Sequence, residues 1–142
     1  IYRGDIVKND YEEGAVWVVI YSDRKDYGGG GEAKAKWFPD EKWLPPSGVQ
    51  VGTVYDGLGD PTTPGWASSS SGGDGECERL NKDEVKGGDV PLIPSLPVSA
   101  ADGENIMRSI GGLVAEDDWQ GSKDAPVYRF GPGPGILNHS YK

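Results

Sequence analysis

Glycine and proline are the residues that most limit what this chain can fold into. The 142 residues include 23 glycines and 11 prolines, together about a quarter of the sequence. Glycine loses the most backbone entropy on folding, and proline cannot donate a backbone hydrogen bond, so long regular elements are disfavoured. Seven tyrosines and five tryptophans argue against disorder, because disordered chains are poor in aromatic residues. We therefore expect one loop-rich folded domain over residues 1–142, with a small core.

The charge balance excludes one class of partner. The chain has 14 basic and 23 acidic residues, a net charge of −9. An acidic surface repels a phosphate backbone, so nucleic-acid binding is not expected. The longest apolar run, residues 15–21, is far shorter than the roughly 20 residues of a membrane-spanning helix. No signal peptide is visible, and a start at Ile1 is what we expect inside a longer protein.

The first part of the chain predicts a helix followed by a strand. Asp5 is a suitable N-cap for a helix that runs to about Glu13, and Gly14 is suited to end it. Residues 15–21 are apolar throughout, a pattern typical of a strand that is buried on both faces. A helix followed at once by a buried strand favours the α/β class.

The middle of the chain is dominated by turn and linker signals. Residues 24–48 contain four consecutive glycines and are predicted to form a long surface loop. A short strand is predicted at residues 50–55, and residues 57–66 form a run of turn signals. Residues 67–89, rich in serine and glycine, are predicted to be a flexible excursion.

Regular structure is predicted again towards the C-terminus. Residues 91–99 contain three prolines, so any strand there should be at a sheet edge or irregular. Ser99 is predicted to cap a helix over residues 100–110, and a last strand is predicted at 127–130. The apolar stripe of that helix comprises Ile106, Met107 and Ile110.

The sequence predicts no catalytic and no metal-binding residues. His139 is the only histidine and Cys77 the only cysteine, whereas a zinc hydrolase needs several His, Asp or Glu ligands. No Gly-x-Ser-x-Gly turn is present to place a nucleophilic serine. Cys77 is interpreted as a free thiol or as half of a bond to another part of the parent chain.

Two other features of the sequence bear on function. Trp37, Phe38, Trp43 and Trp66 lie in predicted loops, where they either line a ligand cleft or pack onto their own domain. Asn138-His139-Ser140 is an acceptor sequence for N-glycosylation, which predicts Asn138 as the modified residue. Glycosylation of Asn138 requires that the chain enters the secretory pathway.

Several short motifs follow one another along nearly the whole chain. The N-terminal ones are Tyr2-Arg3-Gly4, Val19-Ile20-Tyr21-Ser22-Asp23, Gly48-Val49-Gln50-x-Gly52 and Gly59-Asp60-Pro61-x-Thr63-Pro64-Gly65. The C-terminal ones are Ile93-Pro94-Ser95-Leu96-Pro97-Val98-Ser99, Trp119-x-Gly121 and Gly131-Pro132-Gly133-Pro134. In this order the motifs resemble the protease-associated (PA) domains of glutamate carboxypeptidase-like peptidases, especially those of plants.

The resemblance implies a fold and a parent architecture. The fold is α/β (α+β): a twisted mixed sheet, partly closed as a barrel or sandwich, with short flanking helices, here without its N-terminal strands. The parent is a membrane-anchored, extracellular or secretory and vacuolar enzyme with a two-zinc peptidase domain, so zinc lies outside this chain. The implied partners are that peptidase domain, a peptide substrate and a second copy of the parent. An isolated chain of this kind is expected to expose apolar surface and an unpaired strand edge.

The resemblance also implies a role for particular residues. It makes the chain a non-catalytic lid over the substrate cleft, with Gln50, Val51, Gly52 and Trp66 as the cleft candidates. It further implies that glutamate-selective members have a carboxylate-binding arginine where this chain has Val51. Strict selectivity for a C-terminal glutamate is then not expected here. The alternative function is a ligand- or cargo-binding PA module in a non-catalytic, transferrin-receptor-like or sorting receptor.

Overall fold

The computed structural model describes residues 2–27, 36–64, 79–86 and 93–140. The chain divides into two compact units: unit 1 is Ile1–Val18 with Gly52–Ser95, and unit 2 is Val19–Val51 with Leu96–Lys142. The helices are α1 (Arg3–Glu12), α2 (Arg24–Tyr27), α3 (Lys82–Lys86) and α4 (Ala100–Arg108). The strands are β1 (Val18–Ile20), β2 (Gly59–Asp60), β3 (Thr63–Pro64) and β4 (Ser95–Pro97), and Asp117–Trp119 form one 3-10 turn.

The predicted mixture of helices and strands is confirmed, whereas a closed sheet is not. β1 pairs with β4, and β2 pairs with β3. Val18 N donates to Pro94 O, and Val98 N donates to Ile20 O, each at 2.9 Å. The partner numbers rise together, so β1 and β4 run in the same direction. Each sheet in the described ranges has two strands, and neither closes into a barrel or sandwich.

α1 begins earlier than predicted, because a tertiary contact fixes its start. Tyr2, not Asp5, is the N-cap residue, and its side chain makes no capping bond, so the prediction for Asp5 is wrong. Asp5 instead lies in the first turn, where a carboxylate interacts favourably with the helix dipole. The predicted end is confirmed, since Gly14 follows the helix with a φ of +88°.

The strand predicted at residues 50–55 does not form. The hydroxyl of Tyr2 lies 3.2 Å from the carbonyl oxygen of Thr53 and 3.0 Å from that of Tyr55. A side chain at the start of α1 therefore takes up acceptors that a neighbouring strand would otherwise use. Gly4 makes the close approach possible, because a Cβ there would lie 2.6 Å from the carbonyl oxygen of Val54.

β1 is shorter and less buried than its sequence predicts. Val18 is buried, but Val16 is 77% exposed, and Val19 and Ile20 are only half-buried. The prediction of a strand buried on both faces is therefore wrong. The physical reason is that the sheet has two strands in the described part of the chain, too few to cover both faces of β1.

The turn-rich stretch after residue 57 contains a hairpin. Gly59 pairs with Pro64 and Asp60 with Thr63, antiparallel, so Pro61 and Thr62 form a two-residue turn. A φ of +85° at Gly59 explains the glycine at that position. The predicted turns are thus confirmed up to residue 64, while Trp66 lies outside the described residues.

The predicted excursion at residues 67–89 contains one helix that the sequence analysis missed. Asn81 Oδ1 accepts from the backbone N–H groups of Asp83 and Glu84, at 3.0 and 3.1 Å. Glu84 Oε2 in return accepts from Asn81 N at 2.7 Å, which completes a capping box at the start of α3. Cys77 and the rest of the excursion lie outside the described residues, as do the four glycines of the predicted loop at 24–48.

α4 begins as predicted but buries a different face. Ser99 Oγ accepts from Asp102 N at 3.1 Å, which confirms the cap. The fully buried positions are Ala100, Gly103 and Glu104, whereas the predicted apolar stripe is only half-buried. Gly103 is required there because the ring of Tyr21 packs directly on its Cα.

The predicted C-terminal strand is reduced to one antiparallel bridge between Val114 and Arg129. Ala115 N donates to Tyr128 O at 2.9 Å, and Phe130 N donates to Leu113 O at 3.0 Å. These bonds join the segment after α4 to residues 127–130 over only a few positions.

The core is small, as the composition predicts. The buried apolar residues of the described ranges are Val7, Val18, Ala100 and Ala115, and many large apolar side chains are exposed. No helix in the described residues is long and apolar enough to cross a membrane. Polar contacts must therefore add to the stability that the small apolar core provides.

A substitution of Gly103 tests the packing of α4. Alanine normally stabilises a helix relative to glycine, but a Cβ at 103 would lie 2.7 Å from Cδ2 and 2.8 Å from Cβ of Tyr21. Overpacking of this kind costs about 1–3 kcal/mol, so Gly103→Ala should speed amide hydrogen exchange in α4 by roughly 5- to 100-fold. Asn105→Ala, on the exposed side of the same helix, is the control. Slower exchange in Gly103→Ala would contradict the packing.

Candidate functional site

The predicted cleft stretch begins with a glutamine that is held from within unit 2. Gln50 is exposed, and its Oε1 accepts a hydrogen bond of 3.0 Å from Ser22 Oγ. Ser22 follows β1 directly, so the side chain of Gln50 is oriented by a residue attached to a regular element. The next residue, Val51, is 74% exposed and offers an apolar side chain to solvent or to a bound molecule.

Gly52, the last residue of the stretch, lies against an arginine that the sequence analysis did not select. In unit 1, a Cβ at Gly52 would come within 3.2 Å of Cζ and 3.3 Å of Nε of Arg3. The guanidinium of Arg3 therefore packs on the backbone of Gly52. A cationic group is thus present beside the stretch, although position 51 is valine.

Arg3 belongs to a recognisable motif in the sequence, but its separation from Gly52 along the chain gives no indication that the two residues meet. Arg3 belongs to the Tyr2-Arg3-Gly4 motif at the start of α1, far from Gly52 along the chain. The approach depends on Gly4 and on the hydroxyl of Tyr2, which bring α1 onto residues 53–55. No local pattern indicates such a tertiary contact.

The predicted aromatic candidates are only partly described. Trp66 lies outside the described residues. Trp37 and Trp43 are half-buried and Phe38 is exposed, in a tight loop that is closed by a 2.9 Å bond from Phe38 N to Trp43 O. Lys42 Nζ lies 4.7 Å from the centre of the Trp43 ring, a cation–π contact. These aromatic residues are not brought to Gln50 by any described contact.

Five consecutive residues after β1 form what we call the Tyr21–Lys25 segment, and its side chains bind four other parts of unit 2. Ser22 holds Gln50, as described above. Lys25 Nζ donates to Gln120 O at 2.8 Å, and the remaining three residues bind Tyr128 and Glu104. This segment therefore organises the surroundings of the cleft stretch.

Two tyrosines and an aspartate form one hydrogen-bonded chain within the segment's contacts. Tyr21 Oη donates to Tyr128 Oη at 2.7 Å, and Tyr128 Oη donates to Asp23 Oδ2 in a short hydrogen bond. Burial, together with the hydrogen bond to Asp23, raises the pKa of Tyr128 far above its ordinary value. Burial also raises the pKa of Tyr21. Both hydroxyls stay protonated and remain donors throughout the physiological pH range.

Arg24 and Glu104 form a bidentate ion pair. Arg24 Nε lies 2.6 Å from Glu104 Oε1, and Nη2 lies 2.8 Å from Oε2. The side chain of Glu104 is 7% exposed, and Arg108 adds a third contact at 3.4 Å. The hydrogen bond to Glu104 raises the pKa of the Arg24 guanidinium. The buried carboxylate of Glu104, with two guanidinium partners, thus attaches the start of α2 to α4.

Two acidic side chains of unit 2 are engaged by other protein groups. Asp23 is engaged by Tyr128 and by the backbone N–H of Lys25, and Glu104 is engaged by two arginines. Among the described residues, no three His, Cys, Asp or Glu side chains are grouped to hold a metal ion. His139 is half-buried, far along the chain from the cleft stretch.

Substitution of Tyr128 tests the hydrogen-bonded chain. Tyr128→Phe removes the donor to Asp23 Oδ2 and the acceptor of the Tyr21 hydroxyl, at a cost of about 1–3 kcal/mol. Limited proteolysis of the folded protein within unit 2 should accelerate by roughly 5- to 100-fold, since cleavage follows the population of the open form. Tyr27→Phe, which removes an exposed hydroxyl of the same unit, should change the rate little. Equal rates for both variants would rule out a stabilising role for the hydrogen bonds among Tyr21, Tyr128 and Asp23.

The chain is similar to proteins that carry peptidase names. It is 63% identical, over 142 residues, to the probable glutamate carboxypeptidase LAMP1 of Arabidopsis thaliana; the match covers 99% of this chain and 18% of that protein. It is 36% identical to the probable glutamate carboxypeptidase AMP1 of the same plant, over 99% of this chain and 17% of that protein. The rat aminopeptidase NAALADL1 is 34% identical over 92% of this chain and 16% of its own length.

No family model matches the chain. The relatives nevertheless match nearly all of it, at identities that exceed 30%, while it spans less than a fifth of their length. The chain therefore belongs to the glutamate carboxypeptidase-like family.

Proposed function

We propose that this chain is a PA domain that acts as a non-catalytic lid in a zinc-dependent, glutamate carboxypeptidase-like exopeptidase. In this proposal it closes one side of a substrate cleft and contacts the terminal residue of a peptide. The zinc ions and the groups that cleave the peptide bond belong to the peptidase domain of the same parent. The partly closed sheet expected of a PA domain is part of the proposal.

The contact between Arg3 and Gly52 is the observation that carries the proposal. An exopeptidase that removes a C-terminal residue must recognise a free carboxylate, and arginine binds carboxylates through two parallel hydrogen bonds. The guanidinium of Arg3 lies against the backbone of Gly52, at a position that a larger side chain would occupy. Gln50, held by Ser22, adds an exposed amide two residues earlier in the stretch.

The exposed, apolar side chain of Val51 supports the proposal that the parent accepts different C-terminal residues in its substrate. Val51 is largely exposed and cannot form an ion pair with a glutamate side chain. A cleft that presents valine at this position would accept apolar as well as acidic terminal residues. We therefore propose that the parent does not require C-terminal glutamate.

Exposed apolar side chains in unit 2 support the proposal that another domain packs against this chain. They follow α4 and include an edge-to-face contact between Trp119 and Phe130, with ring centres 6.0 Å apart. The set comprises Leu113, Val114, Trp119, Val127, Phe130, Ile136 and Leu137. Monomers rarely expose so many large apolar residues together in sequence, so we propose that these pack against the peptidase domain of the same parent. A homodimer of the parent and an extracellular or secretory and vacuolar location complete the proposal.

Kinetics of the full-length parent test the role of Arg3. Loss of a charge-assisted hydrogen bond costs about 1.5–3 kcal/mol, so Arg3→Ala should lower kcat/KM roughly 10- to 100-fold for a dipeptide with a free C-terminal carboxylate. The loss should appear mainly in KM and should be small for the same dipeptide with a C-terminal amide. Arg129→Ala, which removes an exposed guanidinium of unit 2, is the control.

The outcomes distinguish the proposed peptidase lid from the receptor alternative. An equal loss on the carboxylate and the amide would show that Arg3 supports the fold and does not bind substrate. A full-length, zinc-loaded parent that hydrolyses no peptide would favour the receptor alternative. Retained activity with an unchanged KM in Arg3→Ala would remove Arg3 from the cleft.

A further inference from the structure

We propose that the main chain isomerises at Asp56-Gly57, and that the product loosens the attachment of α1 to residues 53–55. Glycine has no Cβ and the least restricted backbone, so its amide nitrogen reaches the carboxyl group of a preceding aspartate more easily than that of any other residue. The described residues contain this pair twice, as Asp56-Gly57 and as Asp102-Gly103. Because the two pairs are identical, their surroundings in the fold decide which one reacts. The proposal does not depend on the proposed peptidase function.

The reaction uses only groups of the chain and water. The amide nitrogen of Gly57 forms a bond to Cγ of Asp56 and loses its proton, while the carboxyl group loses an oxygen as water, and a succinimide ring results. Water then adds to the main-chain carbonyl carbon of Asp56. The bond from that carbon to the nitrogen breaks, and the nitrogen regains a proton. The peptide bond now runs through Cγ, so the residue is an isoaspartate and the main chain is longer by a methylene carbon.

Asp56 and Gly57 lie where this ring can close. Both residues are exposed, and both lie between residues 53–55 and β2, outside the helices and strands of the described ranges. Within the described part of the chain, the Gly57 N–H donates to no backbone carbonyl. The nitrogen is therefore available to the side chain of Asp56 without any opening of regular structure.

The fold holds the second pair against ring closure. Gly103 N donates to Ser99 O at 2.9 Å near the start of α4, and the ring of Tyr21 packs on Gly103. Asp102 Oδ2 accepts from Ser99 Oγ at 2.6 Å, which keeps the carboxyl group at the helix cap. The helix must open before the nitrogen of Gly103 can turn towards this carboxyl group.

The carbonyl group directly before Asp56 takes part in the attachment of α1. Tyr55 O accepts from the Tyr2 hydroxyl at 3.0 Å, and Tyr55 N donates to Thr53 Oγ1 at 3.0 Å. A longer main chain at the next residue changes the direction in which the Tyr55 carbonyl is held. We therefore expect isomerisation to weaken the hydrogen bond from Tyr2 and to release the start of α1 as the protein ages.

Heavy-oxygen labelling of the full-length protein tests the reaction. The protein is incubated at neutral pH in heavy-oxygen water, so that opening of the ring leaves a heavy oxygen on the residue that reacted. Peptides are then prepared in ordinary water, and electron-transfer fragmentation locates the label and distinguishes isoaspartate from aspartate. Since α4 must open before Asp102 reacts, we expect the label at position 56 to accumulate at least roughly tenfold faster than at position 102. In denaturant the two positions should react at similar rates.

Variants assign the label to one position. Asp74→Glu is present in every sample, because Asp74-Gly75 is a further pair that lies outside the described residues. Asp56→Glu should abolish the label at position 56, since the larger ring forms much more slowly. Asp118→Glu, at an exposed aspartate that precedes tryptophan, should leave it unchanged. Absence of isoaspartate at position 56, or equal labelling of positions 56 and 102 in the folded protein, would overturn the proposal.

Amide hydrogen exchange tests the effect on α1. Loss of one hydrogen bond of ordinary strength should make the α1 amides of the aged protein exchange roughly 2- to 10-fold faster than those of fresh protein. Aged Asp56→Glu should show no such increase, and Tyr2→Phe, which lacks the hydroxyl, should exchange fast before ageing and change little afterwards. The amides of α4 serve as the internal control. Equal exchange of α1 in fresh and isomerised protein would overturn the proposed release of α1.

Discussion

The side-chain hydrogen bonds of the Tyr21–Lys25 segment are the interaction on which the organisation of unit 2 depends. Each side chain of this segment binds a residue distant in sequence, and Glu104 is the most buried of these partners. A segment that emerges from a three-residue strand has little regular structure of its own to hold it. The hydrogen bonds supply that order, and through Ser22 they fix the orientation of Gln50 in the proposed cleft.

Buried polar groups matter here because the apolar core is so small. Thr63, Ser99 and Glu104 are as well buried as the four apolar core residues. Ser99 and Glu104 are fully engaged, whereas Thr63 Oγ1 has no hydrogen-bond partner among the described residues. An unpaired buried hydroxyl costs about 1–3 kcal/mol, while a satisfied network favours one arrangement of the chain over its alternatives.

The sequence predicted those features that depend on neighbouring residues and missed those that depend on distant ones. The cap at Ser99 and the glycine after α1 follow from local backbone chemistry, and both were predicted. The start of α1 and the missing strand at 50–55 depend on the hydroxyl of Tyr2, whose partners lie more than fifty residues away. Arg3 lies against Gly52, and no pattern along the sequence indicates that contact.

The prolines of β4 have a consequence for the behaviour of the chain before it is fully folded. Residues 15–21 are rich in valine, isoleucine and aromatic residues, the composition that pairs readily with strands of other molecules. Their described partner, β4, follows Pro94 and ends at Pro97, neither of which has an N–H to donate. A further strand from another molecule could not form a continuous ladder along β4. The proline-interrupted edge of β4 therefore disfavours edge-to-edge association on that side of the sheet.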